Sequence, residues 1–183
     1  MRYRLRPLYH LGGYLAAACL TLICAMITAQ IIGRLIDRAA VAIGGDRIGL
    51  AIPGLSEISG FLLVGASFLG LAYTFVHGGH IRVTLLIGRL PPAPRAWVEV
   101  FCLSVALALC AYLAWNLYWL LDDSITFNET SYGLLRIPLW IPQTAMLAGV
   151  LLFCLALIET WLYTLRIAVT RPDTFDLNDS GHE

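Results

Sequence analysis

The chain has 183 residues, 59% of them hydrophobic and 13% charged, with a formal net charge of +0 and a mean hydropathy of +0.77. A soluble domain needs more charge than this to cover its surface, so the composition describes an integral membrane protein. The 12 basic residues, all arginine, are matched by 12 acids, which leaves no basic excess for nucleic-acid binding.

The N-terminus, Met1 to Arg6, is basic and leads into an apolar run over residues 11–33. That run is too long for the apolar core of a signal peptide and reads as a retained first span. Further apolar runs over residues 52–76, 97–121 and 139–165 also reach the roughly 20 residues that a spanning helix needs. The expected fold is therefore an all-α integral membrane protein with four transmembrane helices. Residues 1–171 form the membrane domain and 172–183 a short acidic tail. With the N-terminus inside, Arg2, Arg4, Arg6, Arg82, Arg89, Arg95, Arg166 and Arg171 fall on the inner side, and Arg34, Arg38, Arg47 and Arg136 on the outer. The excess of inner arginines predicts that both termini are cytoplasmic.

The first span carries Gly12, Gly13, Ala16, Ala17 and Ala18, small residues that let a neighbouring helix approach closely. After it, Leu35 to Ile43 either prolongs the helix or lies on the outer surface, and Gly44-Gly45-Asp46 marks a turn. Glu57 lies about a turn and a half inside the second apolar run, where a charge is costly unless it is paired or near water. It reads as a carboxylate near the outer interface, bonded to Ser56 or Ser59 or to an arginine of a partner. The competing reading, a coupling-ion site, lacks a second charged group within the membrane.

Between the second and third spans, Gly78 to Pro91 carries only basic charge. Val83, Leu86, Ile87 and Leu90 share one helical face and Arg82 and Arg89 one flank, so residues 81–90 read as a short amphipathic helix lying in the membrane interface. Moving either arginine into hydrocarbon costs about 3 kcal/mol on insertion scales, so this helix would anchor the chain against vertical displacement. The third span has Glu99 and Asn116 near its ends, both read as interfacial. The outer loop from Asp122 is polar and ends in Pro138-Leu139-Trp140-Ile141-Pro142, with prolines placed for a first helical turn. Glu159, in the fourth span, reads as a structural group that reaches the interface or a partner helix.

Cys19, Cys24, Cys102, Cys110 and Cys154 all lie in apolar runs without a C-x-x-C pair, which reads as free buried thiols. His77 and His80 raise a haem or metal reading, but the intervening glycines and the lack of further ligands deep in other spans argue against it. The chain carries no G-x-S-x-G, H-E-x-x-H or Walker A pattern. No catalytic, cofactor or metal-ligating residue is expected.

Gly78-Gly79-His80-Ile81-Arg82-Val83, placed directly after the second of four spans, resembles the signature of the small membrane subunit of tripartite ATP-independent periplasmic (TRAP) transporters, the DctQ family. Arg34, Glu57, Glu129-Thr130-Ser131 and the run Ile137-Pro138-Leu139-Trp140-Ile141-Pro142-Gln143 extend the resemblance along the chain. Thr84, where the family usually has aspartate, and the longer first outer loop are departures. The resemblance implies an inner-membrane scaffold in a bacterial or archaeal importer of organic acids driven by an ion gradient, usually sodium. Its implied partners are a large permease subunit of the DctM type, a periplasmic solute-binding protein of the DctP type and the lipid bilayer. On this view Gly79, His80, Arg82 and Arg89 form the motif and membrane anchor, and Arg34, Glu57, Glu129, Pro138, Trp140 and Glu159 are candidate partner contacts. A haem-bearing redox subunit and a free-standing membrane assembly or regulatory protein are the alternatives.

Overall fold

In the computed structural model, residues 5–44, 46, 49, 53–77 and 91–170 are described. The expected interfacial helix, with Gly79, His80, Arg82 and Arg89, and the acidic tail lie outside them. Four helices follow in order: α1 (Arg6–Ala42), α2 (Leu55–Val76), α3 (Pro92–Thr126) and α4 (Trp140–Thr170). All four are long and apolar enough to cross a membrane, and no named strand occurs among the described residues, in agreement with the four-span reading. The helices overrun the apolar runs that identify them. α1 has 37 residues, about 55 Å at 1.5 Å per residue against a hydrocarbon core of roughly 30 Å. Leu35 to Ala42 therefore prolongs the first helix, and carries Arg34 and Arg38 with it.

The helices pack side by side in the order α1, α2, α4, α3, with α1 and α3 at opposite ends of the row. Glycines set how closely they meet. A methyl group on Gly12 of α1 would lie 2.8 Å from the Leu69 carbonyl oxygen of α2, and one on Gly149 of α4 would occupy the place of the Phe68 backbone. The same short stretch of α2 is thus gripped from both sides by helices with no side chain at the contact, the arrangement in which dispersion between backbones replaces the absent hydrophobic drive. The small residues of the first span serve the close approach that their size predicts.

The most buried seam joins α3 and α4. Leu103, Cys110 and Leu117 recur every seven residues on α3 and meet Val150, Cys154 and Leu157 of α4, the spacing that keeps one helical face on its neighbour. Here Cys154 donates its S–H to Cys110 Sγ at 2.9 Å, and Cys110 donates to the Val150 carbonyl at 3.8 Å. All five cysteines are free; Cys110 and Cys154 are buried as read, whereas Cys24 and Cys102 are exposed on the helix surfaces. Iodine treatment of the membrane-embedded protein is expected to join Cys110 to Cys154 and no other pair. Peptide mapping that finds them separately alkylated after oxidation would contradict this seam.

Candidate functional site

Polar side chains bind the helices to one another near the two ends of their length. At the end where α3 finishes, Asn128 takes a left-handed conformation (φ 51), which asparagine tolerates better than most residues. The Asn128 N–H donates to the Ile125 carbonyl at 3.3 Å and the Glu129 N–H to the Ser124 carbonyl at 3.0 Å, a Schellman motif that satisfies the last carbonyls of α3. That turn returns Glu129 to the helix it has just left. Ser124, fully buried, donates its hydroxyl to Glu129 Oε2 at 2.7 Å and accepts from Gln143 Nε2 of α4 at 2.8 Å.

The rest of the loop closes on itself. Thr130 and Pro138 form an antiparallel bridge, with N–H bonds from Ser131 to the Ile137 carbonyl at 2.9 Å and from Leu139 to the Glu129 carbonyl at 3.0 Å. The loop then crosses to α2. Leu135 lies over Gly54, whose positive φ begins α2, and Gly133 lies against the Glu57 carboxylate with no room for a side chain. Glu57 sits in the first turn of α2, where the helix dipole favours an acid, and its Oε2 accepts a long bond of 3.4 Å from the Leu135 N–H. Its partner in the chain is thus the loop backbone and not the Ser56 or Ser59 hydroxyl. Glu57 Oε1, Ser59 Oγ and Gln143 Oε1 are buried without a hydrogen-bond partner among the described residues. Glu57, Glu129 and Pro138 therefore come together in one loop-covered end, and Trp140 opens α4 beside them. Ser124→Ala removes both bonds at once and is expected to cost roughly 1–3 kcal/mol, read as lower thermal stability in detergent and faster proteolysis within 127–139.

At the opposite end, Glu159 accepts a hydrogen bond from the Tyr9 hydroxyl at 3.0 Å. Tyr9 is fully buried, packed with Ala72 of α2 and Ala156 of α4, so one side chain ties α1 across α2 to α4. Nearby, Trp161 Nε1 donates to Ser104 Oγ at 2.8 Å and joins α4 to α3; its indole N–H is spent inside the protein. Glu99, expected at the interface, is buried, whereas Asn116 is exposed and bonded to the Tyr112 carbonyl. Arg34 is exposed on the prolonged α1. Sequence reading missed Tyr9, Ser124 and His10. Their partners lie 150 residues away for Tyr9 and on a neighbouring helix for His10, and neither spacing nor composition signals such pairs. Gln143, a polar residue one turn into an apolar run, is the one that carried a visible signal.

The description "Tripartite ATP-independent periplasmic transporters, DctQ component" matches residues 23–167 of this chain. A Haemophilus influenzae protein whose name places it among the TRAP transporter small permeases is 32% identical over 76 residues, 42% of this chain and 45% of that relative. The chain thus matches less than half the length of that curated relative, and no solved structure matches. Residues 23–167 take in all of α2 and α3 and most of α1 and α4, and on that extent the chain belongs to the DctQ component family of the TRAP transporters.

Proposed function

We propose that this chain is the stationary scaffold of a TRAP transporter, anchoring and stabilising a large DctM-type permease subunit while that subunit imports an organic acid on an ion gradient, sodium by preference. A DctP-type periplasmic protein delivers the substrate. The chain lies in the inner membrane with both termini cytoplasmic, as the distribution of arginines favours. The observation that carries the reading is the single row of helices, with Gly, Ala, Leu and Cys in the seams at mid-depth and the polar links near the ends. Such a row supports a role as a wall beside the transport path, since a solute site at mid-membrane is built from broken helices and polar groups. Gly79, His80, Arg82 and Arg89 would anchor the chain at the interface. Arg34, Pro138 and Trp140 would meet partners directly, and Glu57, Glu129 and Glu159 would hold the two ends in shape for that contact.

Extraction of the tagged chain from its native membrane in mild detergent, followed by mass spectrometry, tests this. A polytopic protein recovered in near-equal amount is expected. Recovery of the chain alone, under conditions that keep other membrane complexes whole, would favour the free-standing alternative.

A further inference from the structure

An open groove of about 400 Å³ runs between α1 and α2, lined by Gly13, Ala17 and Leu20 on one side and by Ala66, Gly70 and Tyr73 on the other. Small residues at Gly13, Ala17, Ala66 and Gly70 leave it open between Leu20 and the Tyr73 ring, Ser67 adds one hydroxyl to the lining, and Thr74 on its edge already donates its hydroxyl to the Gly70 carbonyl at 2.9 Å. The groove therefore suits a hydrocarbon chain. His10, Gly13, Ala17 and Leu20 follow at i, i+3, i+7 and i+10, and His77 lies one turn beyond Tyr73 and Thr74. Both histidines thus continue the faces that form the groove.

At that end the side chains form one cluster. The rings of His10 and His77 are 5.1 Å apart, His77 stacks on Tyr73 at 4.0 Å, and Tyr73 contacts His10 edge-on at 5.5 Å. Arg6 Nε lies 3.4 Å from His10 Nε2. The His77 Nδ1 lies 2.8 Å from the Tyr73 carbonyl, which places the proton on Nδ1 and fixes the ring with Nε2 turned away from the backbone. Arg6 and His77 are exposed and His10 half-buried. A guanidinium and two imidazoles thus stand at the mouth of an apolar slot, with Tyr73 shared between them.

We propose that this is a binding site for one anionic phospholipid, with an acyl chain in the α1–α2 groove and the headgroup phosphate held by Arg6 beside the rings of His10, Tyr73 and His77. Charge complementarity selects the occupant: a helix of a partner would fill the small-residue groove but has no reason to end at a basic cluster, whereas a lipid has its phosphate there. The run from His10 to Leu20 rises about 15 Å, half the hydrocarbon core and the depth that one leaflet's acyl chain occupies. The terminal guanidinium N–H groups of Arg6 supply the donors that a phosphate accepts, its Nε–H being given to His10 Nε2 and the Nδ1–H of His77 to the Tyr73 carbonyl. The inference does not depend on the transporter reading, nor on which side of the membrane the chain begins.

The test uses the full chain, with whatever co-extracts, in nanodiscs that carry photoactivatable phosphatidylglycerol or the matching phosphatidylcholine. Wild type is expected to give phosphatidylglycerol adducts on peptides of α1 and α2 that line the groove, at about fivefold the phosphatidylcholine yield, the ratio that one basic contact at a membrane surface is worth. Arg6→Gln/His10→Gln/His77→Gln should bring the two lipids to equal yield, and Ala17→Phe, which fills the groove, should lower both. Should Ala17→Phe fail to run as a single species on size exclusion, the triple variant, altered only at the rim, decides. Equal labelling by the two lipids in wild type, or a triple variant labelled like wild type, overturns the proposal. So does a benzophenone residue at position 17 that crosslinks to a co-extracted protein in place of lipid.

Discussion

Gly149→Leu is expected to remove most of the folded protein from the membrane extract, because the added side chain must enter where the Phe68 backbone of α2 already lies. Neither helix can give way cheaply. The obstruction is main chain and not the flexible end of a side chain, so α4 must move off α2, and with it the contact that places the row's two halves together. Overpacking of this kind costs roughly 1–3 kcal/mol where a core can adjust, and more where backbone must shift. Gly149→Ala should show a smaller loss in the same direction. Gly60, also in α2, has nothing within 4 Å of the place a methyl would take. Gly60→Ala is expected to leave thermal stability unchanged or to raise it slightly, by the helix propensity gained. Fluorescence size exclusion of the three variants after heating checks the order; equal behaviour of Gly149→Leu and Gly60→Ala would refute the backbone contact.

Tyr9 carries the second large effect. Tyr9→Ala deletes a ring buried between three helices and is expected to cost about 3–5 kcal/mol, the range found for large aromatic truncations in closed cores. Tyr9→Phe keeps the ring and removes only the hydroxyl, leaving the Glu159 carboxylate short of one donor, at roughly 1–3 kcal/mol. Glu159→Gln should cost less again, since an amide oxygen still accepts from the tyrosine. The three midpoints of thermal unfolding, measured in one detergent, should therefore fall in the order Tyr9→Ala, Tyr9→Phe, Glu159→Gln, with Tyr9→Ala lowest. A Tyr9→Phe loss as large as that of Tyr9→Ala would mean that the hydrogen bond, and not the packing, holds α1 in place.

Hydropathy alone locates the four helices, because each must present some 20 apolar residues to lipid and nothing in the soluble world imitates that length. It misplaces their ends. Once past the hydrocarbon a helix continues on backbone hydrogen bonds and side-chain propensity, so α1 runs through Arg34 and Arg38 to Ala42 and α3 through Asp122 and Asp123 to Thr126. Gly12 and Gly13 announce a close approach by their size, yet which helix approaches is a property of the whole row. Glu57 is visible as an acid in an apolar run, while its contact with Gly133 and Leu135 depends on a loop 78 residues away. Gly78-Gly79-His80-Ile81-Arg82-Val83, the most local part of the family resemblance, lies outside the described residues, whereas Arg34, Glu57, Glu129 and the run Ile137 to Gln143, which extend it, lie within them.

The order α1, α2, α4, α3 also fixes how the fold can fail. A closed bundle loses its core all at once, whereas this file of helices has three main seams in series and two outer members, α3 held along one side and α1 along one side with the added Tyr9–Glu159 tie to α4. Its cooperativity is then that of a short one-dimensional array, in which every element depends on its nearest neighbours and the ends fray first. α1 and α3 are the members that can detach singly, and α2 and α4, locked at Gly149, are the pair that should persist to the last.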